Sequence, residues 1–205
     1  MIVEFSGVPP DRVEADCLVL FLHADDRPPV GAAGLVDWRL NGALSRLLKD
    51  GWYGAAFGEA LLLAFDRRTR SQRVLALGLG PRPESDAARL RAAGQRALSA
   101  VARMGAVRVA IAPPGPGAGD EPEAARVVAI VEGLLDTVRG PSPPEMRPHV
   151  VLVVPFEGQA AVAAALHHLR DTTGAGYHFD LRPLPAARPA SQGLRTLSGA
   201  PLPGG

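Results

Sequence analysis

Five histidines, one cysteine and one lysine are the residues of this 205-residue chain most suited to metal, nucleophilic or proton chemistry. Their spacing excludes most of it. His167 and His168 are adjacent on a predicted helix. They therefore project about 100° apart and cannot share one metal ion, so they read as a solvated helix face. His149 opens a predicted strand with no partner nearby in sequence. Cys17 stands mid-strand among apolar residues and reads as a small core hydrophobe rather than a nucleophile. Lys49 follows no glycine-rich loop, and neither a His-Glu-x-x-His nor a Gly-x-Ser-x-Gly sequence is present. No catalytic residue, metal site or cofactor is expected. His23 ends a strand beside Asp25 and Asp26. At a carboxyl edge that trio reads either as a site or as an ordinary polar loop.

Two glycine-rich turns carry more. Gly78-Leu79-Gly80 closes a strand and leads into a helix, and Gly115, Gly117 and Gly119 do the same one unit later. Glycine permits close backbone approach, and a following helix N-terminus presents free N–H groups to an anion such as a diphosphate. Open α/β sheets bind ligands at this kind of corner. A tight structural turn explains the same glycines, and Asp120, Glu121 and the prolines oppose an anion.

The elements that must position these residues follow from the switching period of the apolar pattern. Met1 to Phe5, Ala15 to Leu22, Ala60 to Phe65, Arg73 to Leu79, Val107 to Ala112, His149 to Val154 and Tyr177 to Leu181 predict seven short strands. The last alternates and reads as an edge. Four helical stripes lie between them. Val36, Leu40, Leu44 and Leu47 define one, ended by Gly51; Leu90 to Met104 gives a second; Val127 to Val138 a third, with Asp120 as N-cap; Gly158 to Arg170 a fourth. Strands alternating with helices imply an α/β domain. The link from Asp66 to Gln72 is too short for a crossover, so those two strands pair antiparallel and the sheet is mixed. The expected architecture is a three-layer α/β/α sandwich over residues 1–182. A Pro/Gly-rich segment, 183–205, is expected to be a disordered tail.

Charge narrows the partners. Lys and Arg total 22 against 21 Asp and Glu, a net charge of +1. That balance offers no footprint for nucleic acid or an anionic membrane. Arg67, Arg68, Arg70 and Arg73 form a basic run that reads as a solvated hairpin. One cysteine and the absence of a secretory start at Met1 fit a cytoplasmic protein.

Several segments together resemble a known family. Asp16-Cys17-Leu18-Val19, Gly42-Ala43-Leu44 through Leu47, Gly54-Ala55-Ala56-Phe57-Gly58-Glu59, Arg73 to Gly80 and Glu132-Gly133-Leu134-Leu135 resemble, in order and spacing, the N-terminal domain of leucyl aminopeptidases. That domain has a macrodomain-like fold, and the resemblance implies one here. The segments Val107 to Leu135 and Val150 to Leu169 are similar to the later units of a macrodomain. By that resemblance Asp16 would hold adenine, and the glycine loops a diphosphate. The macrodomain's Asn-Ala-Ala-Asn run is replaced by His23-Ala24-Asp25-Asp26. The peptidase's Asn-Thr-Asp-Ala-Glu-Gly-Arg motif and catalytic lysine are missing from these residues. The resemblance therefore implies a non-catalytic, stand-alone macro-like domain acting as a binding or oligomerisation module, with itself or a full-length aminopeptidase as protein partner. Two alternatives stand beside it, an ADP-ribose or related nucleotide sensor and a DNA-binding accessory domain. Trp38, Trp52, Tyr53 and Phe57 cluster around the first helix, where they serve either an interface or the core.

Overall fold

A computed structural model describes residues 1–64, 68–115, 121–138, 148–172 and 179–182. The expected tail at 183–205 and the expected N-cap Asp120 lie outside the described residues. Seven strands, β1 (Ile2–Ser6), β2 (Cys17–Leu22), β3 (Ala60–Leu63), β4 (Val74–Gly78), β5 (Arg108–Ala112), β6 (His149–Val153) and β7 (Asp180–Leu181), form one sheet in the order β3-β4-β2-β5-β6-β1-β7. All neighbours are parallel except β3 and β4, which pair antiparallel, so the sheet is mixed as expected.

The central strands are apolar on both faces because both are covered. In β2, Cys17, Val19 and Phe21 join a core with α3 (Ala87–Arg103), α4 (Glu123–Val138) and α5 (Phe156–Thr172). Leu18, Leu20 and Leu22 join a second core with α1 (Gly31–Arg39) and α2 (Ala43–Lys49). Alternation along an extended strand sorts the two sets. The result is a three-layer α/β/α sandwich. No described helix is long and apolar enough to cross a membrane.

The single helix expected over Val36 to Leu47 is two. Asn41 and Gly42 take positive φ values, 55° and 72°, which interrupt the helical ladder. The Asp37 carboxylate then accepts the amides of Leu44 (2.8 Å) and Ser45 (3.1 Å), satisfying donors that the new helix start leaves free. The break lets Val36 and Leu44 both face the sheet while the chain changes direction.

The opposite layer is locked. A Cβ on Gly133 would overlap the Arg91 carbonyl, and one on Gly94 would overlap the Ile130 carbonyl, so α3 and α4 approach to backbone contact. Arg91 spans the pair with an ion pair to Asp136 at 2.6 Å. The glycine of the Glu132-Gly133 motif thus has a packing reason. With β1, β2, β4, β5 and β6 parallel, their carboxyl ends share one rim, and their amino ends the other.

Candidate functional site

Strand direction separates the candidate residues. Asp16 immediately precedes β2 and so stands on the amino edge, away from the glycine corners. Its carboxylate accepts the amides of Val107 and Arg108, both at 2.8 Å. Those bonds, from Arg108 and then Val107, hold its carboxyl below the usual aspartate range. Asp16, which the resemblance made the adenine residue, therefore ties β2 to the start of β5 and stands at the opposite end of the strands from the glycine corners. Beside it, Glu4 receives His149 Nε2 at 2.8 Å and Arg182 Nη1 at 3.4 Å, with Arg108 against its other oxygen. Burial pushes the Glu4 carboxyl up, but Arg108 and His149 together outweigh it and hold the group below its ordinary value.

The carboxyl rim gathers His23, Gly78, Gly80 and Gly115. His23 is 1% exposed. Its Nδ1 lies 3.7 Å from Asp26 Oδ2, and its Nε2 has no hydrogen-bond partner among the described residues. Asp26 pairs with Arg82, whose backbone N–H donates to Asp25 at 2.9 Å. Burial, reinforced by the Arg82 charge, holds the His23 imidazole below the usual histidine range, against the opposing pull of Asp26 and Asp25.

The first glycine corner is filled by the protein itself. Gly78 sits directly beneath the Ala55–Ala56 backbone, which a Cβ would overlap. Gly80 adopts φ +74° and donates its N–H to the Ala55 carbonyl at 3.0 Å, while its own carbonyl accepts the Ala24 N–H at 2.8 Å. The covering turn is fixed by Glu59, whose carboxylate accepts the amides of Gly54 and Ala56 at 3.0 Å each. The Gly54 to Glu59 turn and the Gly78-Leu79-Gly80 strand end therefore interlock. Here the glycines serve a tight turn. The second corner differs. A Cβ on Gly115 would meet nothing within 4 Å. Gly117 and Gly119 lie outside the described residues.

Two rim residues escaped sequence reasoning. Arg126 is buried on α4, donates Nε to the Pro114 carbonyl at 3.2 Å and reaches the Glu121 carbonyl with Nη1. An arginine inside an apolar helical stripe was the available signal. Phe156 is half-exposed and lies on Gly7, where a Cβ would overlap its ring. Among the described residues, no group of three or more His, Cys, Asp or Glu side chains is placed to hold a metal ion.

The α1–α2 layer presents a different surface. Tyr53 is buried, and burial pushes its phenol well up. Trp38 and Trp52 are 68% and 79% exposed. They flank α2 in sequence, Trp38 at the end of α1 and Trp52 just past Lys49. Arg39 lies 4.9 Å from the centre of the Trp38 ring and is anchored to Asp11 at 2.7 Å. A shallow cavity of about 290 Å³ adjoins α2, lined by Arg27, Pro28, Pro29, Ser45, Leu48 and Lys49. Of the basic run, Arg68 and Arg70 are exposed. Arg70 pairs with Glu14 at 3.1 Å, Arg73 donates to the Met104 carbonyl at 3.0 Å, and Arg67 lies outside the described residues.

This sheet order, its helical layers and the crowded carboxyl rim define a macrodomain-like α/β protein. Residues 19–138 match the model of the cytosol aminopeptidase family, N-terminal domain, and the chain belongs to that family. It is 30% identical over 107 residues to a probable cytosol aminopeptidase of Pseudomonas syringae pv. tomato, a match covering 52% of this chain and 21% of the relative. The match thus spans about a fifth of that relative's length. Among solved structures, a tomato leucine aminopeptidase mutant superposes with a TM-score of 0.62 at 19% identity, covering 80% of this chain and 35% of the other. An Oceanobacillus iheyensis macrodomain mutant with ADPR gives 0.63 at 12% identity, covering 82% and 91%. Both superpositions establish the fold.

Proposed function

We propose that this chain is a non-catalytic macro-like module that docks a protein partner through its α1–α2 layer. The observation that carries the reading is the exposure of Trp38, at the end of α1, and of Trp52, just past α2. Exposed tryptophan keeps a large apolar area in water, and burial of that area is a strong source of interface affinity. These residues contain neither the peptidase motif nor its lysine, which supports a binding role over catalysis. The relative's activity suggests a partner, the full-length aminopeptidase. The test uses the two tryptophans as reporters, since the chain has no others. Added aminopeptidase from the same cell should shift their emission to the blue, and Trp38→Ala with Trp52→Ala should abolish binding. Unchanged emission at saturating aminopeptidase contradicts the reading. Metal-dependent release of leucine from an amide by the pure chain contradicts its non-catalytic part.

A second reading, a nucleotide derivative on the carboxyl rim, draws on the unpartnered His23 Nε2 and the open approach to Gly115. Calorimetry with ADP-ribose tests it. Binding that weakens in His23→Leu and is unaffected in Asp16→Ala is the expected pattern. No heat at millimolar ligand ends this reading.

A further inference from the structure

The two edges of the sheet are unequally defended. β7 is two residues long, with charged Asp180 on it and Arg182 directly after it, so among the described residues that edge is short and polar. The other edge is β3, Ala60-Leu61-Leu62-Leu63, continued by Ala64. No charge and no proline interrupts it, and Leu62 is 49% exposed. Exposed strand edges pair with other strands unless charge, proline or a bulge prevents it. The bulge of this hairpin lies before the strand, where Gly58 N–H donates to the Gly78 carbonyl and Gly78 N–H to the Glu59 carbonyl.

The ladder decides which backbone groups face outward. The bond from Gly78 to Glu59 makes Ala60 and Leu77 a non-hydrogen-bonded pair. Alternation then turns the N–H and C=O of Leu61 and Leu63 toward β4. Those of Ala60 and Leu62 point away from the sheet, and they have no partner among the described residues.

We infer that β3 is a homodimerisation edge, paired antiparallel with β3 of a second copy about a two-fold axis at Leu61. The outward residues are two apart. Reversing the strand on itself therefore sets Ala60 opposite Leu62 of the copy, and Leu62 opposite Ala60. All four outward groups on each strand find partners in that one register. A neutral strand is self-complementary, because a two-fold brings no like charges together. The chain's net charge of +1 adds no general repulsion. The sheet would then run continuously through both copies. The proposal rests on the strand edge and does not depend on the reading of the tryptophan layer.

Sedimentation equilibrium of the full chain, from micromolar to near-millimolar concentration, tests the proposal. A reversible dimer is expected. Leu62→Lys places an ammonium beside its symmetry mate and should weaken the dimer about tenfold or more, while the half-exposed site keeps the fold. Trp38→Ala and Trp52→Ala should leave dimerisation intact. Leu61→Cys faces its own copy across a non-hydrogen-bonded pair, where Cβ atoms come within disulfide reach, so mild oxidation should crosslink it. Ala64→Cys, off the axis, should crosslink far less. A monomer at every concentration overturns the proposal. So does a dimer unaffected by Leu62→Lys, or one lost when residues 183–205 are removed.

Discussion

The two helical layers are built to opposite ends. On one side α3 and α4 touch backbone to backbone at Gly94 and Gly133, and Arg91 bridges to Asp136 across the seam. No large apolar side chain of either helix is exposed. On the other side α1 and α2 are short, broken at Asn41–Gly42, and carry Leu35 and Trp38 in the open, with Trp52 just beyond. The α3–α4 pair gives its apolar surface to the sheet and to the seam. The α1–α2 layer leaves part of its own exposed to solvent. Division of this kind lets a small domain hold one rigid face while exposing another.

The sharpest way to break the comparison is at the locked seam. Gly133→Ala forces a methyl into the Arg91 carbonyl, and backbone cannot yield as a side chain tip would. The substitution should cost about 3 kcal/mol or more, seen as a large drop in thermal midpoint. If Gly133→Ala is neutral, the seam is not close-packed. The open layer should respond less. Asp37→Ala removes the acceptor for the Leu44 and Ser45 amides and should cost about 1–2 kcal/mol by urea denaturation.

The rim gives a pH signature that neither layer should show. The His23 imidazole is held below its ordinary value in the folded chain, chiefly by burial. The unfolded chain therefore binds the proton first. Stability should be constant above the ordinary histidine range and fall as pH drops through that range toward the lower folded value. His23→Leu should flatten this limb, as read from urea midpoints between about pH 7.5 and 5, above the main carboxylate range. A limb unchanged in His23→Leu assigns it to another group. Smallest of all, Trp38→Ala and Trp52→Ala should each shift stability by no more than about 0.5 kcal/mol, because the indoles lie in solvent.

Much of this architecture was readable from period and punctuation. All seven strands fall where the apolar runs place them. The short link between β3 and β4 gave the antiparallel pair, because seven residues cannot make a crossover. Other features depended on contacts that sequence does not display. The break in the first helix follows from Asp37 reaching forward to the amides of Leu44 and Ser45, while the apolar stripe runs unbroken across it. Gly78 and Gly80 looked like a ligand corner because glycine is equally suited to an anion and to a neighbouring backbone. Ala55 and Ala56 occupy that space. Asp16, a candidate ligand residue alongside Gly78 and Gly80, precedes β2 and so lies on the other edge. Tyr53, Trp38 and Trp52 are aromatic residues within one short stretch, and only packing separates the buried phenol from the two exposed indoles.

The central claim is that the α1–α2 layer is a protein-docking surface. Its most direct test is the affinity of the chain for the full-length aminopeptidase, measured with both tryptophans present and with Trp38 and Trp52 replaced by alanine. The account predicts binding that falls at least about 100-fold in the double variant while the melting curve stays in place. Equal affinity for both forms, or no binding by either, would contradict it.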